Sequence, residues 1–350
     1  MQLRLVVTHS KLHSIPGEDD DKMALQLGNV LCGGERIGAD ADINHGAPER
    51  FSQRHQSRAL PCIANGVFEK RGITVDLRFT QNSEAQREGL AKGEFEIACS
   101  AVDNAVAMVE TANADVVIVS GGDTSMNEFM TRPEIQSVAD MRGKTLVVDR
   151  PDTAYALQAK KILKNAGLIE GRDYTIKPVG FTPSRIEAMD KYTDNSAAGM
   201  LNPPFSFAAK DKGLKSFGRA IDLIGPYQGG GLFVMRAWGT ANGPLLERFI
   251  AAYIEATRMA LDPANRAQSI ALLASRLKQD TKVAERTYDE ALTQRGFGLV
   301  PDIKFDLDGF KSVLALRAEF QGQWGGKAPA PDRYIDLGYH SRALKLVDGK

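Results

Sequence analysis

Cysteine is scarce in this sequence. Cys32, Cys62 and Cys99 are the only three in 350 residues, too few and too scattered for a disulfide framework or a zinc ribbon. The five histidines, His9, His13, His45, His55 and His340, show no metal-ligand spacing. His9 and His13 lack the intervening glutamate of a zincin helix, so neither a metal nor a cofactor is expected. Net charge is also absent. The 44 basic and 44 acidic side chains give no global field for attracting nucleic acid or an anionic membrane surface. No apolar run approaches the roughly 18–20 residues of a membrane span. Met1 to Val7 holds only a short apolar stretch with polar residues directly after it, which is not a signal peptide. A chain that starts this way would stay in the cytoplasm.

What remains is ordinary for a globular protein: 43% hydrophobic and 25% charged residues. The length predicts two domains. Leu3 to Thr8 reads as a first strand. Residues 16–59 hold neither helical nor strand periodicity and carry eight acids against five bases. They read as an irregular insertion, a tail, or a segment outside the ancestral fold, because so long a structureless loop is uncommon within a domain.

From Leu60 the pattern is regular. A helix opening at Pro61 and stopping at Gly72 precedes an alternating strand from Ile73 to Phe79. Ser83 with Gln86 opens a helix that stops at Gly93. Phe95 to Cys99 and Val116 to Val119 read as strands, with a helix capped by Ser100 between them. A second series follows. It has strands at Thr145–Val148, Tyr174–Val179 and Ala197–Leu201, a helix capped by Asp152 or Thr153, and another opened by Thr182-Pro183. After Gly229-Gly230-Gly231, Leu232–Met235 is a strand. Helices are then predicted at Pro244–Ala260, Pro263–Arg276, Asp280–Leu292 and Asp308–Phe320, with an irregular wrap from Gly325. Strands alternating with helices predict an α/β fold of two lobes, each a mainly parallel sheet flanked by helices.

Ligands of open α/β sheets bind beyond the carboxyl ends of strands. Four such ends carry polar residues: His9 and His13; Ser100, Asp103 and Asn104; Asp149, Thr153 and Tyr155; and Asn202. Two of them enter helices, whose free N–H groups favour anions. Plainer roles stay open. Ser100 with Asp103 forms a capping pair, Tyr155 packs between helix and sheet, Asn202 ends a strand, and the histidines are exposed loop residues. Cys62 and Cys99 read as small buried thiols.

Several segments resemble the solute-binding proteins of ABC transporters of the nitrate/sulfonate/taurine type, within the thiamine-pyrimidine-synthase-like superfamily. They are Ile63–Leu77, Leu90–Ala98, Ser100–Asn104, Asp140–Lys144 and Met200–Pro204, in the family's order. The resemblance implies a two-lobed periplasmic-binding-protein fold of the second type. Lobe one would comprise 1–128 and 229–350, and lobe two 129–228, with crossovers near Asp123–Phe129 and Gln228–Leu232. It implies a monomer that captures a small organic or oxyanionic nutrient and delivers it to an ABC permease in the membrane, from a periplasmic location. Ser100, Asn104 and the N–H groups at Thr153 would hold the polar head, Tyr155 would cover an apolar part, and Asn202 would reach in from lobe two. Asp149 and Tyr227 complete the candidate set. Asp103 would disfavour a plain anion and Arg150 would favour one. Two departures stand out: family members carry an export signal, and the connection after their first strand is short. A rival reading is an enzyme on the same scaffold, cysteine-dependent and sulfinate-cleaving or pyrimidine-forming, with Cys62 as nucleophile and His9 or His13 as base.

Overall fold

The computed structural model describes residues 2–8, 66–80, 83–180, 182–277, 280–292 and 298–349. Its first part runs β1 (Gln2–Thr8), α1 (Val67–Lys70), β2 (Thr74–Thr80), α2 (Ser83–Ala91), β3 (Ile97–Ala101), α3 (Asp103–Ala112) and β4 (Val116–Ser120). The middle part runs β5 (Glu128–Thr131), β6 (Thr145–Val148), α4 (Ala154–Asn165), β7 (Thr175–Pro178), α5 (Thr182–Asp190), β8 (Ser196–Leu201), α6 (Phe205–Asp211), β9 (Lys215–Arg219) and α7 (Ala220–Ile224). The last part runs β10 (Gly230–Met235), α8 (Arg236–Ala241), α9 (Gly243–Leu261), α10 (Arg266–Leu277), α11 (Thr281–Thr287), α12 (Leu307–Gln321) and α13 (Gly338–Asp348).

The strands form two five-stranded sheets, ordered β2-β1-β3-β10-β4 and β7-β6-β8-β5-β9. Within each, four strands run one way and one runs against them. β10 is antiparallel to β3 and β4, and β5 is antiparallel to β8 and β9. Each reversed strand follows the segment that brings the chain over from the other sheet. The chain thus leaves sheet one after β4, completes sheet two, and returns to fill the gap between β3 and β4.

Period-two alternation sends the side chains of β3, β4, β6, β8 and β10 to two covered faces. In sheet one, Val117, Val119, Leu232 and Val234 pack with Leu246, Phe249 and Ile250 of α9 and Ala343 of α13. Ile118, Ala98 and Phe233 face the other way, into a cluster with Val106 of α3 and Phe310, Val313 and Leu314 of α12. In sheet two, Leu146 and Val148 pack with Ala156, Ala159 and Leu163 of α4, while Val147 and Leu201 cluster with Ile186, Met189 and Phe205. Full burial of one such side chain contributes about 1.5–3 kcal/mol. The two lobes also touch through α4 and α12. Ala154 and Leu157 belong to the Phe310 cluster, and Lys161 and Lys164 both pair with Glu319.

Several elements depart from the sequence expectations. β5 and β9 are strands, and α6, α7 and α8 helices, that the pattern did not suggest, and the supposed C-terminal wrap contains α13. Ser100 is not a helix cap. It lies in β3, α3 starts at Asp103, and Val102 at the N-cap position makes no side-chain cap bond. Thr153, by contrast, caps α4 with its hydroxyl accepting from the Ala156 N–H. Among the described residues, no helix is long and apolar enough to cross a membrane.

Candidate functional site

On lobe one, polar groups gather where β3 ends. Asn104 Nδ2 donates to the Ser100 hydroxyl at 2.9 Å and to Ser83 Oγ at 3.4 Å. Arg87 of α2 donates to Asn104 Oδ1 at 3.4 Å. Ser83 opens α2, Ser100 ends β3, and Asn104 lies in the first turn of α3. Three elements therefore converge on one amide side chain.

On lobe two, the ends of β6, β7 and β8 converge in the same way. Thr153 donates to Asp149 Oδ1 at 2.6 Å, and the Tyr155 hydroxyl donates to Asn202 Oδ1 at 3.2 Å. Behind them sits Arg185 of α5, 1% exposed. Its guanidinium lies 4.6 Å from the Tyr155 ring centroid and 4.0 Å from Asp149 Oδ1. It donates to the Gly180 carbonyl at 3.0 Å and to Thr182 Oγ1 at 2.7 Å, while its buried Nε has no hydrogen-bond partner among the described residues. Burial pushes the Asp149 carboxyl above its ordinary range, against the opposing pull of Arg185 and the Thr153 hydroxyl. Burial likewise pushes the Tyr155 hydroxyl upward, so it stays protonated and remains a donor.

An ion pair links the two groups: Arg150, next to Asp149, donates to Glu84, next to Ser83, at 3.0 Å, joining lobe two to lobe one. At the crossovers, a small cavity is lined by Cys99, Asp123, Gly230, Tyr253 and Leu299, among others.

Of the residues singled out in the sequence, Ser100 and Asn104 come together on lobe one, and Asp149, Thr153, Tyr155 and Asn202 on lobe two. Asp103 does not join them. Arg317 donates to it at 2.7 Å, so its charge is matched, and the argument that it would repel an anion no longer holds. Tyr227 is 2% exposed within the apolar cluster that joins α4 to α12. His9, His13 and Cys62 lie outside the described residues. Ser83, Arg87 and Arg185 are additions. Arg185 had a legible signal, a charge on the inward face of a helix marked by Thr182, Ile186 and Met189.

Two α/β lobes joined by paired crossovers, each with one reversed strand arriving from its neighbour, define a two-lobed periplasmic-binding-protein fold of the second type. Residues 62–267 match the sequence model of the NMT1/THI5-like family, and the chain belongs to that family. Solved structures share the fold at low identity. A sulfonate ABC transporter periplasmic sulfonate-binding protein from Methylobacillus flagellatus KT is 15% identical with a TM-score of 0.69, covering 99% of this chain and 95% of that one. The periplasmic nitrate-binding protein from Synechocystis PCC 6803 is 10% identical with a TM-score of 0.70, covering 100% and 89%. A cysteine-to-serine variant of DszB, in complex with biphenyl-2-sulfinic acid, is 12% identical with a TM-score of 0.59, covering 81% and 95%. No curated protein matches the chain.

Proposed function

We propose that this protein is a solute-binding component of an ABC import system. It takes a small organic or oxyanionic solute between lobe one (1–128 and 229–350) and lobe two (129–228) and delivers it to a membrane permease, acting in the periplasm as a monomer. The observation that carries this reading is the pair of facing polar walls, Ser83, Arg87, Ser100 and Asn104 against Asp149, Thr153, Tyr155 and Asn202. Strand ends and helix starts aim these groups into an inter-lobe cleft, where a solute would gain contacts from both sides on closure. The local charges nearly balance: Arg87, Arg150 and Arg185 stand with Glu84, Asp149 and Asp152, and Asp103 is matched by Arg317, so the head group is held by hydrogen bonds from both lobes rather than by a net charge.

A thermal-shift panel of sulfonates, nitrate, amines, pyrimidines and aromatic acids tests the proposal. A solute that binds only the folded state at 100 times its Kd adds about 2.7 kcal/mol of apparent stability. At least one member of the panel is expected to raise the midpoint. No stabilisation of the folded protein by any member would overturn the reading. Rapid labelling of Cys62 near neutral pH, blocked by a bound solute, would instead favour an enzyme.

A further inference from the structure

We infer that Asp123 is the pivot of lobe closure, a positioning residue that locks the two crossovers together so that they turn as one unit. The inference rests on the reading of two lobes that close over a solute. Asp123 lies in the first crossover, between β4 and β5, and is buried. Its carboxylate spans both crossovers: Oδ1 accepts from the Ser125 N–H at 2.8 Å, and Oδ2 accepts from the Gly230 N–H at 3.1 Å. Its backbone carbonyl accepts from the Gly229 N–H at 3.0 Å and from Gln228 Nε2 at 3.3 Å. Among the described residues no basic side chain pairs with it, and its carboxyl oxygens accept from the N–H groups of Ser125 and Gly230.

Close approach is built in. A Cβ on Gly229 or on Gly230 would lie 2.3 Å from an Asp123 carboxylate oxygen, so only glycine lets the carboxylate sit against the second crossover. Ser125 has φ 65°, a left-handed conformation that a serine adopts only when its surroundings impose it. Those surroundings are two. Its N–H is held by Asp123, and its hydroxyl accepts from Gln158 Nε2 at 2.9 Å. Gln158, fully buried in α4, also accepts from Asn127 Nδ2 at 2.9 Å. Lobe two thus grips the first crossover through Gln158. On the other side, Gln228 Oε1 accepts from the Asp306 N–H at 2.7 Å, at the start of α12. Rotation of one lobe against the other concentrates at the few bonds between these two grips, and Asp123 is the group common to them.

Asp123→Asn tests this without a solute. One end of the amide can still accept, but its NH2 end meets a backbone N–H, so either Ser125 or Gly230 loses its acceptor. Hydrogen exchange at those amides is expected to quicken by about tenfold or more, the equivalent of one lost hydrogen bond, while amides of β3 and β6 keep their wild-type rates. Small-angle scattering of the ligand-free variant is expected to give a larger radius of gyration than wild type. Unchanged exchange at Ser125 and Gly230 with unchanged scattering would overturn the inference. So would equal acceleration in β3 and β6, since that is a general loss of stability. If Asp123→Asn does not fold, Gln228→Met takes its place. It removes the side-chain bonds by which Gln228 links the Asp123 carbonyl to the Asp306 N–H and should shift the scattering the same way; an unchanged profile overturns the inference. A thermal-shift panel that fails leaves both measurements standing, because neither uses a solute.

Discussion

Arg317 donates a hydrogen bond to Asp103 across 2.7 Å, tying α12 to the first residue of α3, with side chains only 3% and 5% exposed. Breaking a buried pair by removing one partner leaves an uncompensated charge, which costs about 3–5 kcal/mol, whereas replacing both partners with apolar groups is often close to neutral. Asp103→Ala is therefore expected to lose about that much stability in urea unfolding. The double variant Asp103→Leu with Arg317→Met should recover most of it. A single variant costing well under 1 kcal/mol would show that the pair is not desolvated.

The pair across the cleft mouth behaves differently. Glu84 and Arg150 are each 54% exposed, and exposed pairs contribute about 0–1 kcal/mol. Glu84→Gln should leave the unfolding midpoint nearly unchanged. It should speed release of a stabilising solute by less than about tenfold, and 1 M salt should erase the difference, since screening there acts over about 3 Å. Stopped-flow release at low and high salt checks this. A salt-independent effect would place the pair inside the desolvated cleft.

Tyr155→Phe keeps the ring against Arg185 and deletes the donor to Asn202. The loss of one hydrogen bond is about 0.5–1.5 kcal/mol, larger if the buried acceptor finds no substitute. Denaturant unfolding should register that much in the free protein. Titration with a stabilising solute would show whether the cleft reads the hydroxyl as well. No change in either measurement would mean the bond to Asn202 is not made in solution.

Acid sensitivity should have a share at Asp173. The Arg172 guanidinium above all, then the Ile169 N–H and Arg142, hold its carboxyl down to about 2, from an ordinary value of 3.8. A depressed carboxyl contributes stability that is complete above the unfolded-state value and is lost as pH falls toward the folded-state value. The stability difference between wild type and Asp173→Asn should therefore be constant above about pH 5, shrink below pH 4 and vanish near pH 2. Urea midpoints at pH 7, 4 and 2.5 would trace it. A gap that stays constant down to pH 2.5 would contradict the assignment.

The sequence disclosed elements whose physics is local. β4 and β6 are runs of branched residues with every position buried, and they stand out on composition alone. β5 and β9 do not, because Glu128 opens one and Lys215 and Arg219 bound the other. Glu128 is tolerated inside because Lys210 of α6 and Ser216 of the neighbouring strand both reach it. α13 was hidden behind Pro329 and Pro331, although Tyr339, Ala343, Leu344 and Val347 do follow helical spacing. The cleft shows the same division. Asp149, Thr153, Tyr155 and Asn202 could be picked out because a strand end is a local feature. The partner of Asp103 could not, because Arg317 lies 214 residues further along the chain. Arg185 fell between the two cases. Its helix was legible, but its use against Tyr155 depends on how α4 and α5 meet.

The returning strand β10 bears on how the molecule is made. Leu232 pairs with Cys99, and between them in the chain lies the whole of sheet two. During synthesis sheet two emerges as one contiguous stretch, from β5 to β9, while sheet one still lacks its fifth strand. Until β10 is available, the facing edges of β3 and β4 have no partner in sheet one, and closing that gap spans a long loop. Sheet one can therefore be completed only after every strand of sheet two has been synthesised.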